Sequence, residues 1–227
     1  SQYRSVSGWT RAYQAEVGYN FKKKTPLGGR YGMNIKANFS YVRAIDRQFY
    51  NTSDLIQKTN GYESKFFKWG DDTYYRSFDL VLTRKLSKAF KISLMYVNQL
   101  YNQAVVEGHG GSVHTNIYIA DAKYQFSPKV TLRGELQYMT TKQDQGDWAY
   151  GLLELSLAPH WMVSVSDMWN CGETNLHYYQ GLVTYNIGQH RIHGGYGRTR
   201  AGYNCSGGVC RYVPATTGFT LSYNYNF

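Results

Sequence analysis

The feature that most constrains this chain is a strict period of two, repeated in segments of about ten residues. At the C-terminal end Phe219, Leu221, Tyr223, Tyr225 and Phe227 alternate with Thr220, Ser222, Asn224 and Asn226. Near the start Tyr13, Ala15, Val17, Tyr19 and Phe21 alternate with Gln14, Glu16, Gly18 and Asn20, and Met33, Ile35, Ala37, Phe39 and Tyr41 with Asn34, Lys36, Asn38 and Ser40. Successive side chains of a strand point to opposite faces, so each segment reads as a strand with one apolar and one polar face. The first two are predicted to pair around the turn Lys24–Gly29. Further strands are expected near 74–85, 91–102, 115–126, 130–141, 148–158, 161–169, 176–187 and 190–201. With 10–22, 31–43 and 217–227 these make about eleven, and no 3.6-residue period interrupts them.

Composition decides between a soluble sandwich and a membrane barrel. Aromatic residues are 17% of the chain, with Tyr 23 against Phe 10 and Trp 5, and Pro is only 4. Mean hydropathy is nevertheless polar, at -0.53. No window approaches the roughly 18 consecutive apolar residues of a membrane-spanning helix. Strands that alternate lipid-facing apolar with lumen-facing polar residues, with Tyr and Trp gathered at the two interfaces, reconcile these numbers. The predicted fold class is therefore all-β, an antiparallel transmembrane β-barrel of about 11–12 visible strands, forming one domain over residues 1–227. Outer-membrane barrels alternate short periplasmic turns with longer external connections. Short turns are expected at 87–89, 127–129, 159–160 and 188–189, and long connections at 44–72, 104–114, 142–147, 171–175 and 202–216. Placing Phe227 on the periplasmic side puts Ser1 outside, against the even-strand rule, so the expectation is either that the chain is the C-terminal part of a larger barrel or that one more strand lies within it, with the larger barrel preferred. The expected location is the bacterial outer membrane, with lipid, lipopolysaccharide and other outer-membrane proteins as partners.

The polar set includes Glu16, Lys36, Asp79, Asp121, Lys123, Arg133, Glu135, Glu154 and Arg191, charges of both signs that would line the lumen. Isolated buried charge is costly, so the preferred reading is a paired network, with a polar channel for small solutes as the alternative. The net charge of +10 raises nucleic-acid binding, but only Lys22, Lys23 and Lys24 form a run. They flank a turn and no nucleic-acid module surrounds them, so none is expected as a partner.

The connection 44–72 carries Phe49, Tyr50, Tyr62, Phe66, Phe67 and Trp69. So much aromatic surface belongs either to a lid over the barrel mouth or to a patch that docks another protein. The segment Gly108–His114 holds Ser112 with His109 and His114. A nucleophile requires a base and an orienting group on rigid elements, so a loop is the better reading and no enzyme is expected. Cys205 and Cys210 bracket a Gly-Gly pair, a spacing that suits a local disulfide on an oxidising exterior. Three cysteines without histidines at ligand spacing argue against metal, and no cofactor is expected. Cys171 is left over.

The run CSGGVCRYVPATTGF, with Cys205, Cys210, Arg211, Val213 and Pro214 as its fixed points, precedes a closing strand that ends in Phe. It resembles the C-terminus of an uncharacterised outer-membrane barrel family of Bacteroidota bacteria. The resemblance implies a location, a fold and a longer parent protein. It implies no catalytic residue.

Overall fold

The computed structural model describes residues 10–46, 48–49, 62–63, 65, 68–106, 110–143, 145–206 and 209–225, with 48–49, 62–63, 106, 202–206 and 209–213 as backbone only. The elements in chain order are β1 (Thr10–Phe21), β2 (Met33–Ile45), β3 (Gln48–Phe49), β4 (Tyr62–Glu63), β5 (Trp69–Lys85), β6 (Phe90–Asn102), α1 (Gln103–Val106), β7 (Ser112–Ser127), β8 (Val130–Thr140), β9 (Trp148–Leu157), β10 (Trp161–Asn170), β11 (His177–Ile187), β12 (His190–Thr199), β13 (Gly202–Ser206), β14 (Val209–Val213) and β15 (Thr216–Tyr225). Eleven of the strands form one sheet in the order β1-β2-β5-β6-β7-β8-β9-β10-β11-β12-β15, every neighbour antiparallel. These eleven are the segments that the alternation marks.

Three features lie outside that reading. The long connections contain two small hairpins, β3–β4 and β13–β14, whose strands are too short to show a period. The third is α1, a single helical turn at the start of the connection after β6. Asn102 starts it, its side-chain oxygen accepting the N–H of Val105 at 3.3 Å in the manner of a helix cap. The sheet also remains open: β1 and β15 are its edges and are not paired with each other.

Among the described residues each strand of the sheet packs on its hydrogen-bonded neighbours, α1 touches β5 and β7, and no second sheet layer covers either face. The core among the described residues is accordingly small, a cluster of Val42, Ala44 and Tyr74 with Tyr75 and Val105. A register shift between β2 and β5 produces it. Tyr75 pairs with Val42 and Thr73 with Arg43, leaving Tyr74 as the extra residue of a bulge, and the bulge turns Tyr74 in beside Val42 and Ala44.

Candidate functional site

With no second sheet layer among the described residues, the two sheet faces are the candidate surfaces, and the register defines both. One face carries Val17, Ala37, Leu80, Leu94, Ala120, Leu136, Leu153, Val165, Val183 and Leu221 across the middle of the strands. Rings flank this aliphatic band at both ends. At the end of the short turns Tyr19 meets Phe21, Phe90 meets Tyr124, Trp161 meets Tyr185, and His190 meets Tyr225, with centroids 4.6–6.0 Å apart. At the opposite end Tyr13 and Tyr41 flank Trp69, Trp169 stacks on His177, and Tyr196 meets Phe219. Trp161 and Trp169 stand eight residues apart on β10, roughly 26 Å along the strand at 3.3 Å per residue.

The exposure pattern inverts that of a water-soluble sheet. Along β10 the exposed residues are Trp161, Val163, Val165 and Trp169, while Met162, Ser164, Ser166 and Met168 are sheltered. The large exposed hydrophobics of the other strands belong to the same apolar face, up to 69% exposed at Leu136 and 89% at Phe219. Hydrophobic residues of the polar face, such as Val81, Met95, Ile119 and Leu182, are sheltered instead. That face is the more sheltered one. Between β11 and β12 the backbones approach closely on that side: a Cβ at Gly197 would lie 2.5 Å from the Tyr179 carbonyl oxygen, and one at Gly195 2.6 Å from that of Gly181. Glycines on the apolar face, Gly194 and Gly151, would have ordinary contacts at 3.7 Å.

All nine charges singled out in the sequence, Glu16, Lys36, Asp79, Asp121, Lys123, Arg133, Glu135, Glu154 and Arg191, fall on the polar face. The structure brings some of them together. The Arg133 guanidinium donates from Nε to Asp121 at 2.6 Å and from a terminal nitrogen to Glu135, which also accepts from Gln137. Glu154 is the direct cross-strand neighbour of Arg133. Lys36 reaches Glu16 at 3.5 Å, both well exposed beside the open β1 edge. Asp79 accepts from Ser77 and from the Asn38 amide. Arg191 stands apart from the cluster, between Asn186 and Asn224.

The aromatic connection is only partly described. Phe49 and Tyr62 are cross-strand neighbours in the β3–β4 hairpin, and Tyr50, Phe66 and Phe67 lie outside the described residues. Trp69 is a correction to the expected boundaries. It is the first residue of β5, its ring lies 5.1 Å from Tyr13, and it belongs to the outer aromatic belt rather than to a loop. The extra length of β5 and its bulge put it there. Ser112 and His114 lie in β7, two residues apart, and His109 lies outside the described residues, so no base–nucleophile arrangement forms among the described ones. Cys205 and Cys210 are direct cross-strand partners in the β13–β14 hairpin, and Cys171 is a free thiol. Among the described residues no group of His, Cys, Asp and Glu is arranged to hold a metal ion.

Two groups escaped the sequence reading. Asp167 breaks the apolar face of β10 and accepts from His177 Nδ1 at 2.6 Å beneath the Trp169 ring. Asn170, fully buried, ties two connections together: its amide nitrogen donates to the carbonyl of Gln145 at 2.9 Å, and its oxygen accepts the N–H and the hydroxyl of Thr174 at 2.7 and 2.9 Å. Replacing Asn170 with alanine leaves those groups unsatisfied, and the expected cost is about 2 kcal/mol, read as faster proteolysis at 141–147 and 171–176. Asp147 in the same clamp accepts from the Tyr138 hydroxyl at 2.7 Å and from the Thr141 N–H at 3.0 Å, which together hold its pKa below the ordinary carboxylate value. A depressed folded pKa stabilises at pH above the unfolded value. Protection of 141–147 in hydrogen exchange is therefore expected to be constant at neutral pH and to fall as pH drops below about 4.

No curated protein matches the chain. A family model described as "Family of unknown function (DUF6029)" matches residues 7–227, which include all eleven strands of the sheet, and the chain belongs to that family.

Proposed function

We propose that this chain is the wall of a transmembrane β-barrel in a bacterial outer membrane, a non-enzymatic scaffold or accessory subunit of a larger outer-membrane assembly. The carrying observation is the inverted exposure. A single-layer sheet that turns Leu136, Leu153, Val165 and Leu221 outward and shelters its polar face is stable only where the outer medium is itself apolar. Lipid chains cover the aliphatic band, and lipopolysaccharide and phospholipid headgroups meet the aromatic belts. In this reading the short turns are periplasmic and the origin is a Bacteroidota outer membrane, as the C-terminal resemblance implies.

The open edges support the subunit half of the proposal. Eleven alternating strands leave β1 and β15 running in the same direction, so direct closure would join them in parallel. Antiparallel closure takes an odd number of strands from beyond these eleven, and unpaired edges are open to strand addition. Nitroxide labels at successive positions from 161 to 169, with the protein in vesicles, test the wall. Odd positions are expected to relax with oxygen dissolved in the lipid, and even ones with a water-soluble nickel chelate. Equal accessibility at all nine would sink the proposal. Deleting 48–68 is expected to release co-purifying outer-membrane proteins while the heat-modifiable band of the barrel persists; unchanged association removes that connection from the interface.

A small-solute channel is the second reading, favoured by the charges of both signs that share the polar face. Steady single-channel conductance in a planar bilayer supports it, and an electrically silent barrel does not.

The β13–β14 register adds one covalent expectation. Ser206 and Val209 are partners with two residues between them and Cys205 and Cys210 are the next pair, and direct cross-strand partners have Cα separations of about 4.5–5.5 Å, which suits a disulfide. Protein isolated without reductant is expected to alkylate at Cys171 alone. Alkylation of three thiols excludes the bond.

A further inference from the structure

The sheet register places three lysines side by side that are far apart in the chain. Lys85 of β5 is the direct partner of Lys91 of β6, and Lys91 is the partner of Lys123 of β7. The row then reaches Arg133 of β8 and ends at Glu154 of β9. Arg133 is engaged by Asp121 and Glu135. The three lysines are not: among the described residues none of them has an ion pair or a side-chain hydrogen bond, and all three are exposed. Like charges directly opposite one another destabilise a sheet, so three in a row are a standing cost that a bound counter-charge would remove.

Their surroundings sharpen the chemistry. The row lies on the polar face near the end of the short turns, and those turns add Lys22, Lys23, Lys24, Arg30, Lys88 and Lys129 without a single carboxylate. Such a one-sign rim draws anions toward the polar face and raises their local concentration. Adjacent strands are about 4.8 Å apart, so the outer two ammonium stems start about 10 Å apart and converge easily on one ligand of several oxygens. The side chains stand on the face opposite the aliphatic band, where a headgroup carried by lipid would not reach them.

We propose that Lys85, Lys91 and Lys123 form a binding site for a soluble phosphate-type oxyanion on the turn side of the polar face. The identification of that face as a lumen rests on the barrel reading; the row itself rests on the register alone.

The test uses the full-length polypeptide in micelles of a neutral-headgroup detergent, titrated calorimetrically with inorganic pyrophosphate. Saturable binding is expected, about tenfold weaker in K85Q/K91Q/K123Q and much less affected in K22Q/K23Q/K24Q. Without the anion, the row variant is expected to melt at or above the wild-type midpoint, because repulsion has been removed. If the triple variant does not fold, Lys91→Gln, at the centre of the row, carries the same test with a smaller loss. Equal weakening in the row and turn variants overturns the proposal, as does a response that sodium chloride reproduces at matched ionic strength. Binding of micelles doped with phosphatidylglycerol but not of pyrophosphate also overturns it and assigns the cations to headgroups. Failure here leaves the nitroxide pattern untouched, and failure of that pattern leaves pyrophosphate binding in micelles untouched.

Discussion

Arginine in place of Leu153 is expected to keep the protein out of the membrane, whereas arginine in place of Ser164 on the neighbouring strand is expected to leave insertion nearly unchanged. Leu153 lies in the middle of β9 on the apolar face, between Gly134 and Val165, and its side chain is largely exposed. A cation facing lipid at the midplane of a barrel costs about 2–4 kcal/mol. The same change on a water-exposed strand would cost about 0.5 kcal/mol, since the leucine is more than half exposed. The two environments thus predict opposite results for one substitution. Ser164 lies on the polar face beside Glu154, where a new guanidinium finds a carboxylate and water. The measurement is the fraction of each variant folded into vesicles as a function of urea. An L153R midpoint equal to wild type would show that the exposed face meets water, and the membrane proposal would fall with it.

Replacing Arg133 with leucine should destabilise the inserted protein by about 1–3 kcal/mol. Removing the shared cation leaves Asp121 and Glu135 facing each other with Glu154 close by, and all three carboxylates lose their counter-charge. Breaking a fully buried pair costs about 3–5 kcal/mol, and the lower figure here reflects water reaching a cluster that is only partly buried. Neutralising the acids along with the arginine, in R133L/D121N/E135Q, is expected to recover more than half of the loss. A full recovery identifies repulsion among the carboxylates as the main effect. If R133L alone unfolds at the wild-type denaturant concentration, the cluster is solvated on all sides and contributes nothing to the wall.

The two substitutions mark different kinds of information. That Leu153 faces away from Glu154 is written in the sequence, because a strand alternates its faces whatever its neighbours do, and an apolar-polar repeat needs no partner to be read. The eleven strands, the short turns between them and the common face of the nine charges all follow from that local rule. The family match adds no activity to it.

What the tertiary structure decided is register. Asp121, Arg133 and Glu135 become a cluster, and Lys85, Lys91 and Lys123 a row, only because β5 through β8 are aligned at particular residues. Sequence spacing is silent on that alignment, since a shift of two residues would keep every side chain on its face and still separate all of these groups. The bulge at Tyr74, the outward placement of Trp69 and the clamp around Asn170 are of the same kind, contacts between segments that no local pattern encodes. Alternation is a property of one strand and belongs to the sequence; register and bulges are properties of pairs of strands, and only the folded sheet fixes them.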